Sequence, residues 1–354
     1  MSDQGKKKKE EQYLELVFKL LYLILALMIF IGILVYVNVA GVPAVFTQTE
    51  KIAATDSTGV VDVKLPVSDL WEAPDTLKII NEKNAELISY GRKLIANTSL
   101  YLGPEGTVAH TSNGMNCQNC HLDAGTKSFG NNYSAVASTY PKFRERSGAM
   151  ENIYKRVNDC FERSLNGKAL DTLGKEMQAI KAYIVWLGKD VKKGEKPKGA
   201  GLTELKYMER AADPEKGKLI YVQKCLSCHG TSGEGKKNAD NFSFQYPPLW
   251  GENSYNDGAG LFRLSRFAGY VKSNMPLGAR YDNQQLTDEE AWDVAAFVNS
   301  QSRPKKDLSK DWPKISAKPV DNPFGPYADP FPESQHKYGP FEDIAALKKK
   351  NTKK

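Results

Sequence analysis

Cysteine is scarce: the 354 residues contain five. Four of them fall in two pentads, Cys117-Gln-Asn-Cys120-His121 and Cys225-Leu-Ser-Cys228-His229, so there is no disulfide framework to count. Long apolar runs are scarcer; a single one, Leu20 to Val37, carries no charged residue. Helical periodicity is missing from residues 43–75, where Thr, Ser, Asp, Val and Pro mix, and this stretch reads as an extended linker with Trp71 docking where order begins. A strong charge imbalance in the body is missing too. The formal net charge is +7, and much of it sits at the ends, in Lys6 to Lys9, Lys348 to Lys350, Lys353 and Lys354. Such terminal runs read as solvated tails, so nucleic-acid binding is not expected. The 41% apolar fraction, with 10% aromatics, excludes a disordered chain.

Each pentad has the spacing of a c-type haem attachment site. Two thiols three residues apart on one helical turn reach the two vinyl groups of one haem, and the next histidine is placed to ligate its iron. Two covalently bound haem c groups are therefore expected, attached at Cys117 and Cys120 and at Cys225 and Cys228, with His121 and His229 as proximal ligands. Attachment of this kind takes place on the outer side of a bacterial-type energy-transducing membrane.

The run Leu20 to Val37, apolar in character to Val42, has the roughly 20 residues needed to span a hydrocarbon core. It is longer than the apolar region of a secretory signal, of which Val42-Pro-Ala44 is only a weak cleavage site. Lys6 to Lys9 keep the N-terminus cytoplasmic, and Tyr22 and Tyr36 stand near the two interfaces. The expected location is the inner membrane of a bacterium, single-pass, with the haem domains in the periplasm.

Two copies of one plan follow. Gly91-Arg-Lys-Leu-Ile95 and Gly217-Lys-Leu-Ile220 each lie ahead of a pentad. The first copy carries an insertion, Asn97 to Met115, that reads as a loop. Each copy closes on a helical segment, Met177 to Leu187 and Leu286 to Val298; Thr287 with Glu290 forms a capping box for the second. Lys192 to Gly201, rich in Lys and Gly, reads as the hinge. Eight prolines after Ser302 argue against long helices, yet Trp312, Phe324, Tyr327, Phe331, Tyr338 and Phe341 are too many aromatics for a free tail. The fold expected is mainly α: two tandem cytochrome c-type haem domains with an N-terminal transmembrane helix and an extended C-terminal strap. The boundaries are 1–42 for the cytoplasmic N-terminus and anchor, 43–75 for the linker, 76–195 and 205–302 for the haem domains, and 303–354 for the strap and basic tail.

The distal ligands come from a short list. For the second haem it is Met275 in Asn274-Met-Pro-Leu-Gly278, between the pentad and the last helix. Pro276 stiffens that loop and Gly278 lets it turn. For the first haem the candidates are Cys160, Met150, His110 and Met177. Met177 shares a stripe with Ile180, Ile184 and Leu187 and reads as core; His110 reads as surface. Cys160 lies 39 residues beyond His121, against 46 between His229 and Met275, and this register favours it. Arg156, Cys160 and Ser164 share one helical face. Arg156 and Arg163 would favour an ionised thiol, and a thiolate ligand lowers the iron's potential.

These residues resemble those of the dihaem thiosulfate dehydrogenases, also called tetrathionate reductases. The resemblance runs from about Trp71 to Phe341 and rests on Asn116-Cys-Gln-Asn-Cys-His-Leu-Asp-Ala-Gly125, Arg156-Val-Asn-Asp-Cys-Phe-Glu-Arg-Ser164, Asn274-Met-Pro-Leu-Gly278 and Pro323-Phe-Gly-Pro-Tyr327. It implies that two thiosulfates are joined to tetrathionate with release of two electrons, or the reverse. It also implies that the cysteine-ligated haem is the active site, with Cys160, Arg146, Arg156 and Ser164 around the substrate. Electrons would pass from the first haem to the second and on to an external acceptor or donor, such as a cytochrome, a quinol-linked complex or an oxidase. Two departures stand out. Some members carry a lysine, able to exchange with the methionine, where this chain has Asn274, and the membrane anchor differs from the soluble periplasmic members. The chemistry agrees with the residues: arginines give bidentate hydrogen bonds to sulfonate oxygens, and a sulfur that leaves the iron can join sulfur to sulfur. The competing reading is a membrane-tethered dihaem electron carrier without a substrate of its own, which would need neither Cys160 nor its arginines.

Overall fold

The computed structural model describes residues 15–32 and 69–352. Helix α1, Glu15–Gly32, is long and apolar enough to cross a membrane, a test that a signal sequence near the N-terminus also passes. Lys6 to Lys9, Tyr36, Val42-Pro-Ala44, most of the linker and the last two lysines lie outside the described residues.

The described residues 69–352 form one compact unit, the body. Its first part contains α2 (Ala85–Ala96), α3 (Thr98–Leu102) and the short turns α4 (Leu122–Gly125) and α5 (Val136–Thr139). A hairpin of β1 (Lys142–Arg144) and β2 (Ala149–Glu151) follows, then α6 (Ile153–Arg163) and α7 (Lys175–Leu187). The second part has α8 (Pro214–Lys224), α9 (Leu226–His229), a small hairpin of β3 (Lys236–Lys237) and β4 (Phe244–Tyr246), α10 (Leu264–Asn274) and α11 (Asp288–Ser300). Two more helices, α12 (Glu333–Tyr338) and α13 (Glu342–Thr352), end the chain.

The internal repeat has a physical basis. In the first part α2 crosses α7, and in the second α8 crosses α11. Gly91 sits at one crossing, where a Cβ would stand 2.0 Å from the Ala179 carbonyl oxygen; Gly217 sits at the other, where a Cβ would stand 1.9 Å from the Asp293 carbonyl oxygen. The helices touch backbone to backbone, so only glycine fits. Around the first crossing Leu94, Ile95, Met177 and Tyr183 are fully buried; around the second, Tyr221, Trp292 and Ala295 are. Met177 is thus a core residue. The capping box of Thr287 and Glu290 starts α11, with Glu290 N–H donating to Thr287 Oγ1 and Thr287 N–H to Glu290 Oε2.

Three readings of the sequence need correction. The insertion after Asn97 is not all loop, because it opens with α3. Lys192 to Gly201 is not free to act as a hinge: the carbonyls of Gly199 and Gly201 accept from the N–H groups of Phe129 and Asn131, both at 2.8 Å, and Ala200 and Leu202 are buried. The strap is extended only to about Pro332; beyond it Pro332 stands at the N-cap of α12, and α13 begins just after Pro340. Proline needs no N–H partner at a helix start, and acidic Glu342 and Asp343 with basic Lys349 and Lys350 suit the two ends of α13. The strap's aromatics do lie on the body, Phe324 stacked on Phe262 at 5.7 Å and Phe341 against Trp292 at 5.8 Å.

Replacing Gly91 or Gly217 by Ala should destabilise the protein by about 1–3 kcal/mol through overpacking. An unobstructed helix would instead gain up to about 1 kcal/mol from the same change. Thermal denaturation followed by circular dichroism gives the sign.

Candidate functional site

Helix α6 carries the first site. Asn152 caps it, its Oδ1 accepting from Lys155 N–H at 3.0 Å. Phe161 is buried in the core. One turn apart on another face, Arg156 and Cys160 line a cavity together with Ser164, which lies at the C-cap rather than within the helix, its N–H donating to Cys160 O at 2.8 Å. Cys117, Cys120 and His121 line the same cavity, so the lone cysteine and the first pentad converge. Ile95, Val157, Ile180 and Ile184 give it apolar walls.

His121 is held by the Asn131 carbonyl, 2.5 Å from its Nδ1, and stacks on Tyr133 with ring centroids 4.5 Å apart. Burial pushes its pKa down to about 4. A neutral imidazole whose Nδ1–H is engaged by a carbonyl presents the Nε2 lone pair, the arrangement of a metal-ligating histidine. Arg156 is held above its ordinary pKa, chiefly by the charge of Cys160 and against its burial.

A second cavity repeats the pattern. Cys225, Cys228, His229 and Met275 line it, with Leu249, Leu261, Val271 and Val294 among its apolar walls. His229 Nδ1 lies 2.9 Å from the Pro247 carbonyl, and burial lowers its pKa. Met275 follows α10 directly, and Gly278 turns the loop with φ of +94°.

Not every candidate joins the first cavity. Met150 is 64% exposed on β2, and His110 is exposed with its Nδ1 against the Pro104 carbonyl. Arg146 does not line the cavity: its Nη1 donates to Gly258 O at 2.9 Å, it lies 3.8 Å from Asp311, and it rests on the Trp312 ring. Burial, with Arg163 nearby, lowers its pKa to about 10. Arg163 also turns away from Cys160, making two 2.8 Å hydrogen bonds to the Asp311 carboxylate. One acid on the strap thus draws both arginines, because Arg163 is buried, Arg146 is half-buried and each needs a counter-charge.

Three cations take that place, and two of them, Lys142 and Lys196, the sequence reading passed over. Lys142 and Arg144, on one face of β1 with exposed Phe143 on the other, line the cavity, as does Lys196. Burial, Arg144 and Arg156 depress the Lys142 pKa. The alternation Lys142-Phe-Arg144 was the available signal, but three residues are too few to announce a strand.

Comparison with known proteins agrees with this geometry. The SoxA/TsdA cytochrome c domain family matches residues 107–192, and the cytochrome c family matches residues 214–302. A thiosulfate dehydrogenase of Allochromatium vinosum is 38% identical over 223 residues, covering 62% of this chain and 79% of that protein. The chain belongs to the thiosulfate dehydrogenase family. A second member, from Psychrobacter arcticus, is 39% identical over 59% of this chain and 62% of its own length. The solved thiosulfate dehydrogenase TsdBA of Marichromatium purpuratum, in its as-isolated form, superposes with a TM-score of 0.62 at 30% identity, over 67% of this chain and 50% of that one. The match therefore spans less than two thirds of these last two relatives. Two cytochrome c domains bind two haem c groups covalently, and the residues fit them: each cavity combines two thiols, a carbonyl-held neutral imidazole, apolar walls and a sulfur side chain.

Truncating Asp311 to Ala would leave the Arg163 guanidinium, whose side chain is 10% exposed, with the more distant Asp159 at 3.9 Å in place of two close hydrogen bonds. The expected loss is about 3 kcal/mol, measurable by urea denaturation of the haem-loaded protein.

Proposed function

We propose that the protein interconverts thiosulfate and tetrathionate at the first haem, within residues 76–195, and relays electrons through the second haem, within 205–302, to an external partner. The observation that carries this reading is the convergence of Cys160, Arg156 and Ser164 on the cavity of the first pentad. The forward reaction joins the terminal sulfurs of two thiosulfate dianions in one new bond and releases two electrons. When bound, the two haems would each accept one of these electrons.

In this reading His121 and Cys160 would hold the first haem, and His229 and Met275 the second. Cys160 is also the sulfur that meets the substrate. Arg156 presents a planar fork to sulfonate oxygens, and the Ser164 hydroxyl adds a hydrogen bond. Two dianions must be brought together against their repulsion, which Lys142, Arg144 and Lys196 reduce; the same cations also suit the two carboxylates of a haem c. Arg146 serves from behind, through the strap contact, rather than by touching substrate. A Met/His second haem has the raised potential of an electron exit. Helix α1 anchors the protein in the inner membrane with its N-terminus cytoplasmic and both haem domains periplasmic, where the partner is a cytochrome, a quinol-linked complex or an oxidase. A tethered carrier without a substrate would have no use for a thiol and an arginine in one haem cavity, so the enzyme reading is preferred.

Purified haem-loaded protein should reduce ferricyanide with thiosulfate or oxidise reduced methyl viologen with tetrathionate. Cys160→Ala should lose at least about 100-fold in turnover, lose the low-spin thiolate resonance and keep the absorption bands of the second haem. Inactivity of the wild type in both directions, or near-normal turnover in Cys160→Ala, would remove the proposal.

A further inference from the structure

The two haem cavities share a wall, and the first pentad forms it. Cys120 lines both cavities, and Asn119 and Met115 line the second. Met115 and Tyr255 belong to the core of the first domain, yet both also face the second cavity. The attachment thiol of one haem is therefore part of the housing of the other.

This wall is pinned from the second domain by one side chain. Tyr270 on α10 is buried and lines the second cavity, and its hydroxyl donates to the Asn119 carbonyl, between the two cysteines of the first pentad, at 2.7 Å. Asn119 is itself fixed from the first domain: its Oδ1 accepts from Asn116 N–H at 2.7 Å, and Asn116 Oδ1 accepts from Ser99 N–H and Oγ, both at 2.9 Å. One turn further along α10, Asn274 donates to the Phe129 carbonyl at 3.0 Å. The helix that delivers Met275 is thus tied to the first domain at two points on one face.

We infer that Tyr270 is a positioning residue for electron transfer, holding Cys120 of the first pentad against the second haem cavity so that electrons cross at this wall. The inference rests on the first-to-second relay proposed above. In each transfer the first haem is oxidised by one electron and the second is reduced by the same electron; no proton or further reactant is needed. A phenol is suited to the task because its ring fills the apolar side of the wall while its hydroxyl reaches a backbone acceptor.

The test is the rate of electron equilibration between the two haems after pulse-radiolytic reduction of the haem-loaded protein, without thiosulfate, in wild type, Tyr270→Phe and Tyr270→Leu. Tyr270→Phe, which removes only the hydroxyl, should slow equilibration about tenfold, the cost of slight positional slack in a geometry-dependent step. Haem content and both midpoint potentials should stay as in the wild type. A purely structural role would lower the melting temperature without changing this rate. An unchanged rate in Tyr270→Phe overturns the inference, as does a slowing accounted for by shifted potentials. Tyr270→Leu, if it folds, should be slower still, and a wild-type rate in it overturns the inference too. Since no substrate enters the measurement, its outcome is separate from that of the thiosulfate assay.

Discussion

Both haem sites depend on a backbone contact between two helices. Gly91 lets α2 lie directly on α7, and Gly217 does the same for α8 on α11. Each crossing buries large side chains close to the helices, so the chain that leaves the first helix is delivered to its pentad from a rigid base. A haem pentad needs such a base because two thiols and one imidazole must meet a single planar group. The repeat visible in the sequence is the trace of this contact, and its glycines are where a side chain would collide with a carbonyl.

Helix α6 then does two things at once. One face offers Arg156 and Cys160 to the cavity, while Arg163 reaches the opposite way to Asp311 on the strap. The strap is a support for this helix: Trp312 N–H donates to Arg146 O at 2.6 Å, and the Asp311 carboxylate faces the buried Arg163 and the half-buried Arg146 guanidinium. The cationic character of the cavity comes from Arg156 and from β1 and Lys196, so the cavity-facing charge and the charge that secures the helix are held apart. A guanidinium already paired with a carboxylate has fewer free donors than one that faces an open cavity.

The domains meet at the places where electrons would have to cross. Cys120, Tyr270 and Asn274 join the first pentad to the helix before Met275, and the backbone of Phe129 and Asn131 is bound along Gly199 and Gly201. The segment between the domains, rich in Lys and Gly, has the composition of a flexible joint, yet its carbonyls are committed to hydrogen bonds with the first domain. Composition reports what a free chain would do, and these bonds are formed only by its neighbours.

Much of the chemistry was legible beforehand. Two Cys-x-x-Cys-His pentads dictate covalent haem because the spacing is local, set by one helical turn. Arg156, Cys160 and Ser164 could be placed on one face for the same reason, and the Thr287 capping box marked the start of α11. The helical end of the strap escaped because its prolines stand at helix starts, where proline is tolerated. Arg163 was misplaced beside the thiol, and Lys142 and Lys196 were overlooked, because long charged side chains go to whichever partner folding brings near. What the sequence alone determined is everything that depends on a few adjacent residues: the haem sites, the apolar N-terminal run, the face of helix α6. Which cations face the cavity, which acid restrains the others and which wall the two haems share were decided by tertiary structure, since those contacts join residues far apart in the chain and no local spacing encodes them.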